Sequence, residues 1–271
     1  MPELPEVETT RRGIAPALVG QRVTDLIVRD RRLRWPIAAN LEAAVRAQLV
    51  RAVARRAKYL IIQLETGSLI VHLGMSGSLR LVGDKTPPKP HEHWDLVLDS
   101  GRVLRFHDPR RFGSLFWTDD DPEKHPLLKK LAPEPLSAAF DGAYLFRVTR
   151  KRVVAIKQLI MNSQLVVGVG NIYASEALFR AGISPRRAAR RITKAEALKL
   201  SGAIKAVLTA AIKIGGTTLR DYVNADGVPG YFRQKLFVYE RAGERCRVCK
   251  SSVKQFTQGQ RSTYWCATCQ R

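Results

Sequence analysis

Residues 59–73 read YLIIQLETGSLIVHL, in which two apolar runs flank the turn Glu65-Thr66-Gly67. Short runs rich in Leu, Ile and Val on either side of a glycine-containing turn are typical of a β-hairpin. A second hairpin is predicted from residues 94–98 and Arg102–His107, which flank Ser100-Gly101. The two hairpins predict that the first half of the chain is rich in β-strands.

Elements on either side extend this first half. Val23–Val28 and residues 115–117 are further predicted strands. A helix is expected near the start of the chain, because Pro5 is tolerated in a first helical turn and Gly20 is a suitable end. Residues 83–90 show neither pattern and are predicted to form a loop.

The second half changes from strand patterns to helix patterns. Residues 132–135, Ala-Pro-Glu-Pro, have the composition of a linker. Asn171 is expected to cap a helix over Asn171–Ala181. Residues 193–196, Thr-Lys-Ala-Glu, have the spacing of a capping box, which predicts a long helix ending at Gly215-Gly216.

All four cysteines of the chain fall within its last 26 residues. Cys246 and Cys249 form one C-x2-C pair, and Cys266 and Cys269 form a second pair after sixteen residues. This spacing is typical of a tetrahedral zinc site. Four thiolates leave no open coordination position, so the predicted zinc is structural and not catalytic. Disulfides are the alternative, which an intracellular location disfavours.

The charge of the chain points to a polyanionic partner. Its 271 residues carry 46 Lys and Arg against 24 Asp and Glu, a formal net charge of +22. Because 45% of the residues are hydrophobic, a disordered polycation is excluded. Neither an apolar run of about 18 residues nor a signal peptide is visible, so a soluble, intracellular protein is expected. Nucleic acid best offsets this charge, and a merely basic or ribosomal surface is the alternative.

The first thirteen residues, MPELPEVETTRRG, resemble the N-terminal signature of the formamidopyrimidine-DNA glycosylase family. Its members are also called 8-oxoguanine DNA glycosylase/AP lyases. Other motifs that resemble the family recur along the whole chain: RRAKYL at 55–60, HLGMSG at 72–77, DPRRFG at 108–113, GVGNIYASE at 168–176, GGTT at 215–218 and QRST at 260–263. So many separated motifs, together with the cysteine spacing, make the resemblance specific.

The resemblance implies an α+β fold. It comprises an N-terminal β-sandwich flanked by helices, then a helical helix–two-turns–helix domain with a C-terminal β-ribbon zinc finger. The expected domains are 1–131 for the catalytic β-sandwich, 132–222 for the helical DNA-binding domain and 237–271 for the zinc finger. The implied partner is double-stranded DNA that contains oxidised bases or abasic sites, bound by a monomer.

Four residues match the catalytic positions of the family. Removal of Met1 would leave Pro2 with a free secondary amine, and a neutral amine can attack an aldehyde-like carbon. By resemblance, Pro2 attacks the deoxyribose C1′ and displaces the damaged base, and Glu3 is the acid–base partner that helps open the sugar ring. Lys58 then reaches the scissile phosphate and aids elimination. Arg261 binds phosphate and assists the second elimination.

Three further residues match the positions that fill the gap left by an extruded base, and we call them the wedge residues: Met75, Arg110 and Phe112. An extruded base leaves a gap that something must fill. Met and Phe are suitable apolar plugs, and Arg can hydrogen-bond the unpaired partner base. Without the resemblance, Met75 would be interpreted as a core methionine, and Phe112 as equally suited to a buried or an exposed position.

Other positions resemble DNA contacts of the family: His72, His91, Arg152 and Asn171, together with Arg110. From the residues alone, His72 in its apolar hairpin is more typical of a core histidine. Residues 217–230 correspond to the loop that closes over the flipped purine. Asn162 departs from the pattern, because aspartate is expected there in many relatives.

The activity implied is that of a bifunctional DNA glycosylase/AP lyase of base excision repair. It would excise oxidised purines, chiefly 8-oxoguanine and formamidopyrimidines, and cut the strand by β,δ-elimination through a Pro2 imine. No redox or nucleotide cofactor is expected, and the location is the cytoplasm, in association with the nucleoid. The alternatives are an endonuclease VIII-like enzyme for oxidised pyrimidines and a non-catalytic nucleic-acid-binding zinc protein.

Overall fold

The computed structural model describes residues 2–216 and 236–271. The chain divides into two units, Met1–Lys129 with Ile214–Tyr231 and Lys130–Lys213 with Phe232–Arg271. Met1 and residues 217–235 lie outside the described residues, so the predicted loop at 217–230 is not described. The domain boundaries expected from the sequence stay predictions.

Eight strands in the described part of the first unit form two antiparallel sheets, ordered β1-β6-β7-β5 and β2-β3-β4-β8. In chain order they are β1 (Val23–Val28), β2 (Ala52–Arg56), β3 (Tyr59–Gln63), β4 (Ser68–His72), β5 (Ser78–Gly83), β6 (Glu92–Leu98), β7 (Arg102–His107) and β8 (Ser114–Thr118). Both predicted hairpins are confirmed. Tyr59 lies opposite His72 across β3 and β4, and Leu96 lies opposite Leu104 across β6 and β7.

The core of the first unit is made by apolar side chains from both sheets and from the helices α1 (Leu4–Leu18) and α2 (Leu41–Val45). Trp94 and Phe106 stack at its centre with ring centroids 5.2 Å apart. Both rings are fully buried, and burying an aromatic side chain of this size contributes about 1.5–3 kcal/mol to stability. This core supports the loops that carry several of the predicted site residues.

Helix α1 begins and ends as its sequence predicts. Glu3 is its N-cap, and Glu3 and Glu6 form a capping box in which the Glu3 N–H donates to Glu6 Oε2 at 2.8 Å. Pro5 stands within the first turn, where a missing N–H costs no helical hydrogen bond. Beyond the helix end, Gly20 adopts a φ of +82°, a conformation that favours glycine.

The second unit contains four α-helices and a two-stranded ribbon among its described residues: α3 (Gly142–Thr149), α4 (Ile156–Ile160), α5 (Asn171–Ala181), α6 (Lys194–Lys213), β9 (Lys254–Gln258) and β10 (Arg261–Trp265). The capping box ahead of α6 is confirmed. The Thr193 N–H donates to Glu196 Oε2 at 2.9 Å, and the Glu196 N–H donates to Thr193 Oγ1 at 3.2 Å. Sheets in the first unit, helices in the second and the ribbon confirm the α+β fold.

The predicted capping role of Asn171 is wrong. Gly170 is the N-cap of α5, and Asn171 is the first residue of the helix. The physical reason is that the Asn171 amide has other partners: its Oδ1 accepts from Lys157 Nζ at 2.6 Å, and its Nδ2 donates to the Ser262 carbonyl at 2.9 Å.

Across the described residues, no helix combines the length and apolar character that crossing a membrane requires.

Candidate active site and zinc centre

Pro2 and Glu3 stand at the N-terminal end of α1, and both are buried. Only 2% of Glu3 is exposed, as is 2% of Glu6 one turn later. A Cβ atom added to Gly216 would lie 3.1 Å from Glu6 Oε1, so Gly216 lies close to this end of α1. The N-cap and the first turn of α1 thus place two carboxyl groups within four residues of the predicted nucleophile.

Arg55 joins α1 to the turn that carries Lys58. Its Nε donates to Glu8 Oε2 at 3.1 Å, and its Nη1 donates to the Ala57 carbonyl at 2.8 Å. Ala57 has a φ of +52°, and Lys58 follows it in the tight turn between β2 and β3. One guanidinium therefore joins helix α1, which follows Pro2 and Glu3, to the turn of the predicted catalytic lysine.

The Glu8 carboxylate stays ionised over a wide pH range. Burial by itself raises the pKa of this carboxyl, but hydrogen bonds from Arg11 and Arg12 and the nearby charges of Arg11 and Arg55 outweigh burial, and the pKa falls to about 2. Because Glu8 keeps its negative charge, its ion pair with Arg55 persists at neutral and mildly acidic pH.

His72 is a neutral hydrogen-bond donor. The Gly74 N–H donates to its Nδ1 at 3.0 Å, which leaves the ring proton on Nε2. Burial, with the positive charges of Lys58 and Arg34, lowers the pKa of His72 to about 4. The ring lies 4.8 Å from that of Tyr59 on the next strand. This geometry suits a phosphate contact made through the Nε2 N–H.

The three wedge residues lie on two adjoining segments of the first unit. Met75 is partly buried in the turn after β4, and Arg110 and Phe112 are exposed in the loop 108–113. The Arg110 guanidinium lies 4.9 Å from the centre of the Phe112 ring, and 43% of Phe112 is exposed. A large aromatic side chain that projects from a charged loop is suited to contact a partner, so the structure excludes a core position for Phe112.

His91 and Arg152 belong to different units. His91 is exposed in the first unit with a φ of +69°, just before β6, and its ring lies 6.2 Å from that of His107. Arg152 is exposed just after α3 in the second unit, and its Nε donates to the Val148 carbonyl at 3.0 Å. Both are accessible to a partner, as a DNA contact requires.

Lys157 is a buried lysine that no sequence pattern singles out, and it joins two of the predicted site segments. Only 1% of it is exposed, and its Nζ donates to Asn171 Oδ1 at 2.6 Å, Thr263 Oγ1 at 2.7 Å and the Ser262 carbonyl at 3.2 Å. An ammonium group donates up to three hydrogen bonds, and these acceptors belong to α5 and to β10. The lysine therefore fixes Asn171 against the start of β10, next to Arg261.

Arg261 is exposed at the start of β10 and lines a cavity of about 210 Å³. The lining residues are Lys157, Gln158, Met161, Asn162, Gln258, Gly259 and Arg261.

Asn162, which departs from the expected aspartate, accepts at Oδ1 from the Gln164 N–H at 3.0 Å. Aspartate and asparagine can both supply this acceptor, which gives a physical reason why Asn162 is compatible with the fold.

Glu176 is a second buried residue whose role is not evident from the sequence. It is 1% exposed on α5, and its carboxylate accepts backbone N–H bonds from Phe237 at 2.9 Å, Val238 at 2.9 Å and Tyr239 at 3.0 Å. Burial raises the pKa of this carboxyl although the hydrogen bonds oppose the shift. Glu176 fixes the chain to α5 just before the zinc finger. Its sequence signals are its place at the end of the motif GVGNIYASE and its acidic side chain in a largely apolar helix.

The four cysteines converge at one end of the ribbon, and no disulfide joins them. Their Sγ atoms all lie within 4.8 Å of one another, with Cys246 and Cys269 3.9 Å apart and Cys249 and Cys266 3.3 Å apart. A tetrahedral Zn²⁺ with bonds of about 2.3 Å to sulfur needs separations of about 3.8 Å between sulfurs. The cluster therefore fits one structural zinc ion, as predicted.

Three family models cover most of the chain. The formamidopyrimidine-DNA glycosylase N-terminal domain matches residues 1–115, and the H2TH domain of the same enzymes matches residues 131–223. A zinc finger found in these enzymes and in isoleucyl-tRNA synthetases matches residues 243–271.

Similar proteins align over the full length. The formamidopyrimidine-DNA glycosylases of Stutzerimonas stutzeri and Thioalkalivibrio sulfidiphilus are 58% and 59% identical over 271 residues, covering 100% of both chains in each case. The crystal structure of MutM (Fpg) from Thermus thermophilus is 43% identical with a TM-score of 0.90, covering 99% of this chain and 98% of that one. The Lactococcus lactis enzyme bound to N7-benzyl-Fapy-dG DNA is 31% identical with a TM-score of 0.92, covering 100% of both.

The β-sandwich, the helical module and the four-cysteine ribbon match those of known DNA glycosylases, and the relatives align over the whole chain. These parts define a DNA glycosylase of base excision repair, which acts on damaged DNA. Within that class, the chain belongs to the formamidopyrimidine-DNA glycosylase family. The ribbon is its zinc finger and holds one structural Zn²⁺.

Proposed function

We propose that this protein is a bifunctional glycosylase and AP lyase that excises oxidised purines, chiefly 8-oxoguanine and formamidopyrimidines, through a Schiff base on Pro2. The observation that carries the proposal is the position of Pro2 and Glu3. Both are buried at the N-terminal end of α1, and Arg55 ties that helix to the Lys58 turn. A nucleophile, an acid–base group and a cation are thereby held on one framework.

The chemistry begins with the Pro2 amine. With Met1 removed, its nitrogen attacks the deoxyribose C1′, and the bond from C1′ to the damaged base breaks, with the electron pair leaving on the base. The leaving base takes up a proton. Glu3 protonates the sugar ring oxygen as the ring opens, which leaves an iminium ion between Pro2 and C1′. The iminium acidifies the neighbouring carbon, so the strand is open to elimination.

Two eliminations then cut the strand. Loss of a proton from C2′ expels the 3′ phosphate, and a second elimination expels the 5′ phosphate. Lys58 places a positive charge at the scissile phosphate in the first step, and Arg261 assists the second. Water then hydrolyses the remaining imine and frees Pro2. Zinc supplies no chemistry here: it fixes the ribbon that carries Arg261.

Binding to duplex DNA uses contacts to the outside of the duplex and insertion of the wedge residues into it. His72, Arg152 and Asn171 are proposed to contact phosphates. His91, which belongs to the first unit, is proposed to contact DNA as well. The wedge residues fill the gap left by the extruded base. Relatives support this partner, because the Lactococcus lactis enzyme is solved with DNA containing Fapy-dG and with DNA containing an abasic site. We propose that the protein acts as a monomer on intracellular DNA.

Oxidised pyrimidines are a second candidate substrate. The Lactococcus lactis enzyme, at 31% identity and a TM-score of 0.92, is also solved with DNA containing an oxidised pyrimidine. The substrate test must therefore compare both lesion classes.

A strand-nicking assay tests the proposed function. Duplexes carry 8-oxoguanine, an oxidised pyrimidine or no lesion, and the cut ends are resolved on a denaturing gel. Faster cutting at 8-oxoguanine with phosphate on both ends of the gap is expected. Preferred cutting at the pyrimidine would favour the second candidate, and tight binding without cutting would contradict both.

A further inference from the structure

Asp108 lies where three segments of the first unit meet, and none of the roles described above includes it. It is completely buried, with 0% of its surface exposed. Its backbone N–H donates to the His91 carbonyl at 2.9 Å, and its own carbonyl lies 2.8 Å from Nε2 of the buried His93. The backbone of Asp108 is therefore fixed to the segment that carries His91.

The Asp108 carboxylate joins the other two segments. Oδ1 accepts from the Ser76 hydroxyl at 2.7 Å and from the Arg110 N–H at 3.3 Å, and Oδ2 accepts from the Gly113 N–H at 2.7 Å. Ser76 follows Met75 in its turn, whereas Arg110 and Gly113 belong to the loop 108–113. Hydrogen bonds to a charged acceptor are stronger than those between neutral groups.

The backbones of the turn and the loop also touch. Gly74 has a φ of +67°, and a Cβ atom added there would lie 2.4 Å from the carbonyl carbon of Phe112 and 2.4 Å from the nitrogen of Gly113. Such distances leave no room for a side chain, so this close packing of the turn and the loop requires glycine at position 74. Three wedge residues on two segments thus share one support.

We propose that Asp108 is a positioning residue for opening the duplex, and that it holds the wedge residues in the arrangement in which they enter the DNA. This inference rests on the proposed function. A preformed wedge loses less conformational freedom when it inserts, which favours extrusion of the damaged base. Phosphate contacts supply most of the affinity for undamaged DNA, and Asp108 contributes none of them. Its loss should therefore slow extrusion and leave that affinity unchanged.

The experiment compares Asp108→Ala and Ser76→Ala with Asp99→Ala, a control at an exposed aspartate in the turn between β6 and β7. The substrate has 8-oxoguanine opposite cytosine and 2-aminopurine beside the lesion, so fluorescence reports unstacking under single-turnover conditions. Loss of hydrogen bonds to the carboxylate should slow unstacking and excision by about ten- to a hundredfold. The control should match the wild type. Binding to undamaged duplex should keep the same salt dependence in every variant.

A double-mutant cycle with Phe112→Ala separates a positioning role from a general structural role. If Asp108 acts through the wedge, Asp108→Ala should add little to the loss caused by Phe112→Ala. If Asp108→Ala fails to fold, Ser76→Ala carries the test, because it removes one hydroxyl group. Independent, multiplicative losses, or unstacking at the wild-type rate in folded variants, would overturn the inference. Wild-type protein that does not cut at 8-oxoguanine would instead refute the proposed function, and this inference with it.

Discussion

The Arg55 guanidinium donates from Nε to Glu8 Oε2 at 3.1 Å and thereby joins strand β2 to helix α1. The same side chain donates to the Ala57 carbonyl, next to Lys58. Arg55 and Glu8 are largely buried, with 11% and 12% of their side chains exposed. An ion pair so shielded from water resists screening by salt, unlike a pair at the surface.

Arg55→Ala should therefore reduce both stability and catalysis. Loss of hydrogen bonds between charged or partly charged groups is expected to lower the free energy of unfolding by about 1–3 kcal/mol. Borohydride trapping on abasic DNA should slow as well, because the hydrogen bonds that Arg55 makes to α1 and to the Lys58 turn are lost. Arg51→Ala is the matched control, since Arg51 forms a more exposed pair with Glu65. Equal urea midpoints and trapping rates for the two variants would contradict this role.

His72 predicts a pH dependence of stability. The pKa of this histidine is about 4 in the folded protein, against 6.5 for an unperturbed histidine. Between these values the unfolded chain binds more protons than the folded protein does. The stability contributed by neutral His72 is therefore fully present above about pH 6.5 and is lost as the pH falls toward 4. The loss attributable to His72 should reach about 2 kcal/mol by about pH 5.

Urea unfolding of wild-type protein and His72→Gln at about pH 7 and about pH 5 measures this loss. Glutamine does not titrate, so the variant should lose less stability on acidification. Because His72 is neutral, His72→Gln should also leave the salt dependence of DNA binding unchanged. A loss of stability in the variant that equals or exceeds the loss in the wild type would rule out a neutral His72 as its cause.

Arg261→Ala tests the phosphate contact on the ribbon. The side chain is exposed, so the variant should retain zinc and fold. It should bind abasic duplex more weakly, reduce the salt slope by about 1 and slow strand cutting. Arg261→Lys should restore the slope but not the full cutting rate, because lysine cannot make a bidentate contact. Wild-type affinity and slope in Arg261→Ala would show that no phosphate is bound there.

Removal of zinc should disorder the ribbon and leave the first unit folded. A chelator removes the ion that holds the four thiolates together, and structural zinc sites contribute folding free energy directly. Hydrogen exchange should accelerate beyond Arg245, while the strands of the first unit keep their protection. Damage-specific binding should be lost, and zinc added back should restore it. Full activity of metal-free protein would contradict the structural role of the ion.

Local patterns were sufficient for much of the fold. The hairpins of β3–β4 and β6–β7 were predictable because each pairs two apolar runs across a short turn containing glycine. The zinc ligands were predictable from spacing alone, because the chain between Cys246 and Cys249 must bend around a single ion. Both signals act over a few neighbouring residues, which is why sequence reveals them.

The residues that the sequence did not reveal take their roles from distant partners. Lys157 bonds to Thr263, 106 residues further along, and Asp108 bonds to Ser76, 32 residues earlier. Asn171 was predicted as a cap because asparagine favours that position, but its amide bonds to Lys157 and Ser262 instead. Tertiary contacts here override a local preference, and no pattern in the neighbouring sequence reports them.

The final prediction concerns the N-terminus. While Met1 is attached, the Pro2 nitrogen belongs to a tertiary amide whose lone pair is delocalised, so it cannot form an imine. The Met1 amine is one residue away from the position that Pro2 occupies, and reacting atoms must approach within about 3–3.5 Å. Processed protein should therefore be trapped on abasic DNA by borohydride. Protein that retains Met1 should lose most or all of this trapping, because it lacks the free secondary amine.

Mass spectrometry of the trapped complex identifies the attacking residue. The reduced adduct should map to Pro2 in processed wild-type protein. Pro2→Gly, whose primary amine fits the site less well, should be trapped weakly. Lys58→Ala should still be trapped but turn over slowly on 8-oxoguanine, because Lys58 aids elimination and does not form the imine. An adduct on Lys58 or another lysine in the wild-type protein would show that the N-terminal proline is not the nucleophile.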